Sequence, residues 1–144
     1  MAIPHVYPNF ILAVHNKEVD WSGDTWHLVL LDDSYTPDYT NDAYWDDISA
    51  HEITGTGYTT GGITVASPTI TYNAGTNTVT LNLADAAWTS STFSAYHAVL
   101  VDWTPATDAT RPLALHIDFE GAMEPADGSL SISWNASGVV VYNL

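Results

Sequence analysis

The segment Thr78-Val-Thr-Leu-Asn-Leu83 alternates apolar and polar residues without a break. In an extended chain, successive side chains point to opposite faces. Val79, Leu81 and Leu83 therefore line one face, and Thr78, Thr80 and Asn82 the other. A helix would scatter the same residues around its axis. This period of two returns along the chain, separated by short turn-forming clusters, and it constrains the fold more than any other feature.

Ile63-Thr-Val65 and Thr69-Ile-Thr-Tyr72 read as half-buried strands, and Asn73-Ala-Gly-Thr-Asn77 as the hairpin turn leading into Thr78–Leu83. Ala95–Trp103 is a strand. So is Arg111–Phe119, with Leu113, Leu115, Ile117 and Phe119 on one face. Ser129-Leu-Ser-Ile-Ser-Trp134 alternates again, and Val139-Val-Val-Tyr142 is expected to complete a final hairpin with it. The apolar run Thr25–Leu31 suits a strand buried on both faces, and His51–Thr54 a short strand. Asp85–Thr92 and Glu120–Gly128 read as links.

Two segments near the start follow helical spacing. Pro8–Lys17 places Phe10, Ile11 and Val14 on one face, with Pro8 suited to a first turn. Asn41–Ile48 is expected to form a short helix capped by Asn41, with Asp42 favourable at its positive end. The expected fold is mainly β: an antiparallel β-sandwich of about eight strands with one or two short helices near the N-terminus. Most links are too short for a helical crossover, which favours antiparallel pairing. The length of 144 residues fits a single domain spanning 1–144.

Charge and composition narrow the function. Seventeen acidic residues stand against Lys17 and Arg111, a formal net charge of −15. Such a chain is expected to be repelled by nucleic-acid backbones and anionic membranes. No cysteine is present, which excludes disulfides, thiol catalysis and cysteine-ligated metals. The apolar run Phe10–Val14 is far shorter than the ~20 residues of a membrane span. Met1–His5 carries no leader pattern, and a soluble chain is expected.

Gly55-Thr-Gly-Tyr-Thr-Thr-Gly-Gly62 lacks the Gly-Lys-Ser/Thr ending of a phosphate loop and reads as an ordered surface loop. Asp32, Asp33, Asp42, Asp46 and Asp47 crowd one stretch, but without the spacing of a calcium loop; a solvated acidic face is expected. His5, His15, His27, His51, His97 and His116 form no zinc signature. No Gly-x-Ser-x-Gly elbow occurs. Asp118 and Glu120 are candidates for a glycosidase pair only by being acidic, and alternation would set them side by side on one face of a strand. Trp21, Trp26, Trp45, Trp88, Trp103 and Trp134 form no local stripe, so core and interface roles are expected ahead of a sugar platform. Asn135-Ala-Ser137 matches a glycosylation sequon without a leader to support it. The expectation is therefore no enzyme, with no catalytic, cofactor-binding or metal-ligating residues and no cofactor.

A family resemblance follows from the order of the motifs. Trp21–Asp38 carries a strand after a Gly23-Asp-Thr25 turn, and Tyr35-Thr-Pro37 follows. Asp47-Ile48, the Gly55-Thr-Gly-Tyr58 loop and Ile117-Asp-Phe119 come next. This order resembles a group of small virion structural proteins of tailed bacteriophages, described as head decoration, head fibre or minor tail proteins. The likeness covers most of residues 10–120 and rests on turns and strands. It implies a virion location, most readily the capsid exterior, with the major capsid protein or other virion proteins as partners and no nucleic acid or membrane. By analogy it implies a homo-oligomer such as a trimer at threefold sites. A tail position and a carbohydrate-binding module are the alternatives, and a cell-wall hydrolase ranks last.

Overall fold

The computed structural model describes residues 4–144. The leader expectation falls partly on residues 1–3, outside that range. Among the described residues, ten strands run in three antiparallel sheets, an arrangement that is sandwich-like and not a closed barrel. The largest sheet holds β1 (Pro4–Val6), β2 (Trp26–Leu31), β3 (Ile63–Val65), β7 (Ala95–Asp102) and β8 (Leu113–Met123), in the order β1-β8-β7-β2-β3. A second sheet runs in the order β10-β5-β4, from β4 (Thr69–Asn73), β5 (Thr78–Asn82) and β10 (Val140–Asn143). A two-stranded ribbon joins β6 (Ala86–Ser91) to β9 (Gly128–Ile132).

The central strands are continuous apolar runs because they are covered on both faces. In β2, every residue except His27 is buried, and in β7 every residue except Tyr96. Leu28 lies opposite Leu100, and Val29 opposite Val99. Trp26, Leu28, Val29, Leu30, Leu100 and Leu113 are fully buried and belong to one cluster that reaches Leu81, Trp88, Ile132 and Val140 in the smaller sheets.

The helix α1 (Pro8–His15) forms where the spacing predicts it, with Pro8 at its start, but its buried face is Phe10 and Ala13, and Val14, expected beside Phe10, is exposed. The second helix begins later than predicted. Asn41 does not cap it. Residues 38–42 close into a turn instead, with the Asp42 N–H donating to Asp38 O at 2.8 Å. The Asn41 amide is spent on Asp38 Oδ2 at 2.7 Å. Helix α2 (Trp45–Ile48) is capped from within by Asp47, whose Oδ2 accepts the N–H groups of Ala43 and Tyr44 at 2.9 Å each. His51–Thr54 is not a strand: Ser49–His51 forms a 3₁₀ turn, and only Glu52 bridges to Leu31.

Four further expectations are corrected. First, Ala86–Ser91 is a strand, not a link. Ala86 and Trp88 face inward, but small and hydroxyl residues hide the alternation. Ser90 adopts a positive φ of 49°, and the register shifts between Trp88 and Ser91. Second, β1 and β6 are strands where none was expected, within the mainly β antiparallel sandwich of about eight strands that the sequence predicts. Third, β4 is exposed along its whole length, because no layer covers it. Fourth, β9 and β10 do not pair with each other. β9 pairs with β6, and β10 crosses to β5 in the register Val140↔Leu81. Gly138 permits that crossing: a Cβ there would lie 2.3 Å from Thr80 Cγ2.

The Gly55–Gly62 loop is pinned rather than flexible. Glu52 Oε1 accepts the Tyr58 hydroxyl at 2.7 Å and the Gly61 N–H at 2.6 Å. The Tyr58 hydroxyl in turn accepts the Leu30 N–H at 3.2 Å. At Gly62, φ is 76° and a Cβ would sit 2.2 Å from the Leu28 carbonyl oxygen. Gly62→Ala is therefore expected to cost about 2 kcal/mol, from left-handed backbone strain and displacement of β2. A urea midpoint unchanged within error would refute it.

Candidate functional site

Two features stand out: a buried histidine–tyrosine network and an apolar groove. The network forms where β7 and β8 meet the loop after β2. His116 Nε2 lies 3.0 Å from His97 Nδ1, and His116 Nδ1 lies 2.9 Å from the Tyr39 hydroxyl. Tyr35 stands edge-on to both imidazoles, and its hydroxyl donates to Asp42 Oδ2 at 2.8 Å. The Tyr7 hydroxyl meets that of Tyr35 at 2.7 Å. His5 packs against Tyr39, and His51 against Tyr35. Burial holds His116 well below the usual imidazole range, at about 4, and the neighbouring His97 pushes the same way. Burial also lowers His97, against the opposing pull of Asp118. Tyr7 and Tyr35 are raised by burial. The arrangement packs neutral imidazoles and neutral phenols around the buried Asp42 carboxyl group.

The candidate carboxylates are mostly spent on local structure. Asp42 is buried in that network, where its Oδ2 also accepts the Asp38 N–H at 2.9 Å. Asp32 Oδ1 accepts the Ser34 N–H at 2.9 Å, and Asp47 caps α2. Asp33 and Asp46 are exposed. The acidic stretch is therefore not a single solvated face; its sequence crowding reflects successive turn closures. Among the described residues, no group of three or more His, Asp or Glu side chains is arranged to hold a metal ion.

Asp118 and Glu120 do not sit on a regular strand. The β7–β8 register shifts between Ala95 and His97, and Glu120 takes a positive φ of 60°. Asp118 Oδ1 accepts the Glu120 N–H at 2.8 Å, and it lies 4.0 Å from His97 Nδ1. Alternation cannot predict such a bulge.

Trp21, Trp26, Trp45 and Trp88 are buried. Trp103 is packed by two side chains: His27 stacks at 4.7 Å with a 6° interplanar angle, and the Arg111 guanidinium lies 3.9 Å from the ring. The Asn135 side chain closes a turn by accepting the Ser137 N–H at 2.8 Å.

The larger groove, of about 860 Å³, opens between β8, β9 and the crossing segment before β10. Ile117, Phe119, Leu130, Ile132, Trp134 and Val139 are among the apolar side chains that line it. Trp134 is fixed at both ends: its indole N–H donates to Ala84 O at 2.9 Å, and its main-chain N–H to Asp85 Oδ1 at 3.0 Å. Met123 and Val141 leave 38% and 37% of their surfaces exposed at the mouth. The lining residues carry no charge. Asp118 and Glu120 are exposed neighbours of Phe119 in sequence, and Asp118 turns to His97; the exposed Asp85 meets the groove where it holds Trp134. Sequence reasoning missed this groove, because it exists only where β10 leaves β9 for β5. A smaller groove of about 400 Å³ lies between α1 and the β10-β5-β4 sheet, beside Trp21 and Ile70.

Comparison with protein-family models, curated proteins and solved structures finds no match to this chain. Among the described residues, no helix is long and apolar enough to cross a membrane.

Proposed function

We propose that this protein is a non-enzymatic virion component of a tailed bacteriophage that decorates the outer surface of the head shell, docking on the major capsid protein. The observation that carries the docking reading is the apolar groove between β8, β9 and the segment before β10. Phe119 and the hydrogen-bonded Trp134 offer an aromatic anchor site, the kind of feature that concentrates binding energy. A net charge of −15 directs such a surface toward a partner that presents basic residues around an apolar contact, and away from packaged nucleic acid. The virion assignment itself rests on the motif resemblance.

The same charge makes copies of this chain repel one another unless a shell holds them together. A trimer is therefore proposed on the shell, with the free protein lighter when its mass is measured in solution.

Labelled antibodies against this protein, applied to purified particles, test the location. Label on heads supports the proposal, label on tails replaces it with a tail role, and no label on particles removes it. For the groove, Met123→Asp and Val141→Asp are expected to weaken binding to purified shell protein at least ~10-fold while leaving the thermal midpoint unchanged. Both side chains are already more than a third exposed, so the fold tolerates the change. Undiminished binding in both variants places the contact elsewhere.

A further inference from the structure

Asp102 ends β7 and is fully buried. Its Oδ1 accepts the Thr104 N–H at 3.0 Å. Its Oδ2 is the one buried side-chain nitrogen or oxygen among the described residues with no hydrogen-bond partner. The group that faces it is a second carboxylate, Asp24.

The sheet enforces this meeting. Trp26 lies opposite Asp102 in the β2–β7 ladder. The Trp103 N–H donates to Thr25 O at 2.8 Å, and the Thr25 N–H to Thr104 Oγ1 at 2.7 Å. Asp24 is half-buried beside them, and its Oδ2 accepts the Asp20 N–H at 2.7 Å. Two ionised carboxylates are both acceptors, so neither satisfies the other unless one carries a proton. Something positive has to lie between them. Arg111 is spent on Pro105 O and Asp108.

We propose that Asp24 and Asp102 hold one hard divalent cation of the calcium class. Calcium accepts main-chain and hydroxyl oxygens and water alongside carboxylates, so two charged ligands suffice to anchor it. The charge of −15 concentrates such ions near the surface. A proton is the competing occupant. Burial, with Asp24 beside it, holds Asp102 above the usual carboxylate range, so a proton competes for the position and is lost as pH rises. A divalent ion stays. Its role would be to lock the Asp20–Asp24 turn to the end of β7.

Terbium luminescence excited through tryptophan reads the site directly, because Trp26 and Trp103 adjoin Asp102 in the ladder and in sequence. At about pH 8, the protein is expected to give saturable sensitised emission that calcium reverses. Asp102→Asn and Asp24→Asn are each expected to weaken terbium binding at least ~10-fold. Calcium at roughly 100 times its Kd should raise the thermal midpoint by roughly 5 °C in the unaltered chain but not in either variant, and sodium chloride of equal ionic strength should not reproduce the rise. Equal terbium binding in both variants overturns the proposal by placing the ion elsewhere on the acidic surface. It also fails if calcium has no effect while the midpoint of the unaltered chain falls between about pH 6 and 8 and that of Asp24→Asn does not. The pair then takes a proton only. Asp24 is half-buried, so its variant carries the test if Asp102→Asn does not fold.

Discussion

Replacing Trp26 by alanine is expected to lower the unfolding free energy by about 4 kcal/mol, the largest loss from any single substitution considered. Trp26 is fully buried at the start of β2. Its ring lies 4.7 Å from Trp21 and meets Phe10 edge-on at 6.2 Å, so it joins α1 to the main sheet. Its indole N–H donates to Trp21 O at 2.9 Å. Alanine removes the ring, opens a cavity that three elements line, and leaves a buried carbonyl unpaired. Trp26→Phe keeps most of the volume and loses the hydrogen bond, so it should cost only about 1–2 kcal/mol. Denaturant unfolding of both variants separates packing from hydrogen bonding. Equal losses would show that the hydrogen bond, not the ring's volume, carries the effect.

Acid should destabilise this protein through His116. The folded state holds His116 at about 4, against 6.5 for the free side chain. Below 6.5 the unfolded chain takes up a proton that the folded chain refuses, so the unfolded state binds more protons and stability falls with pH. The stabilising contribution is whole above about 6.5 and is gone once pH drops through about 4. A gap of this size corresponds to about 3 kcal/mol. The groups around the ring are His5, Tyr7, Tyr35, Tyr39, His97 and Asp118, and only Asp118 favours a charged His116. His116→Gln, neutral at every pH, should flatten the decline by about that amount while costing some stability at neutral pH through imperfect bonds to His97 and Tyr39. Unfolding curves at stepped pH test this. A chain equally stable at about pH 7 and pH 4.5 would mean that His116 protonates freely in the folded state.

Much of the secondary structure is legible in the residues. Thr78–Asn82, Ala95–Asp102 and the N-terminal helix form where spacing places them, because their side-chain periods match a pleat or a helical turn. The failures share a cause. Ala86–Ser91 hides a strand behind small residues, and Asn41 loses its cap role because Asp38 and Asp42 close a turn first. In both places a local preference yields to partners far away or to a competing hydrogen bond.

The candidate sites were not legible. Periodicity says which face of a strand is apolar, but not which strand lies beside it. The groove depends on β10 pairing with β5 instead of β9. The carboxyl pair depends on the Trp26↔Asp102 register. The histidine network depends on β7 and β8 placing His97 beside His116 under the Tyr35–Tyr39 loop. By itself the sequence determined the β character, the antiparallel habit and the acidic charge, since these follow from side-chain period, link length and ionisable groups. Tertiary structure alone decided which acids and rings meet, because strand pairing is a choice among long-range contacts that local preference does not rank.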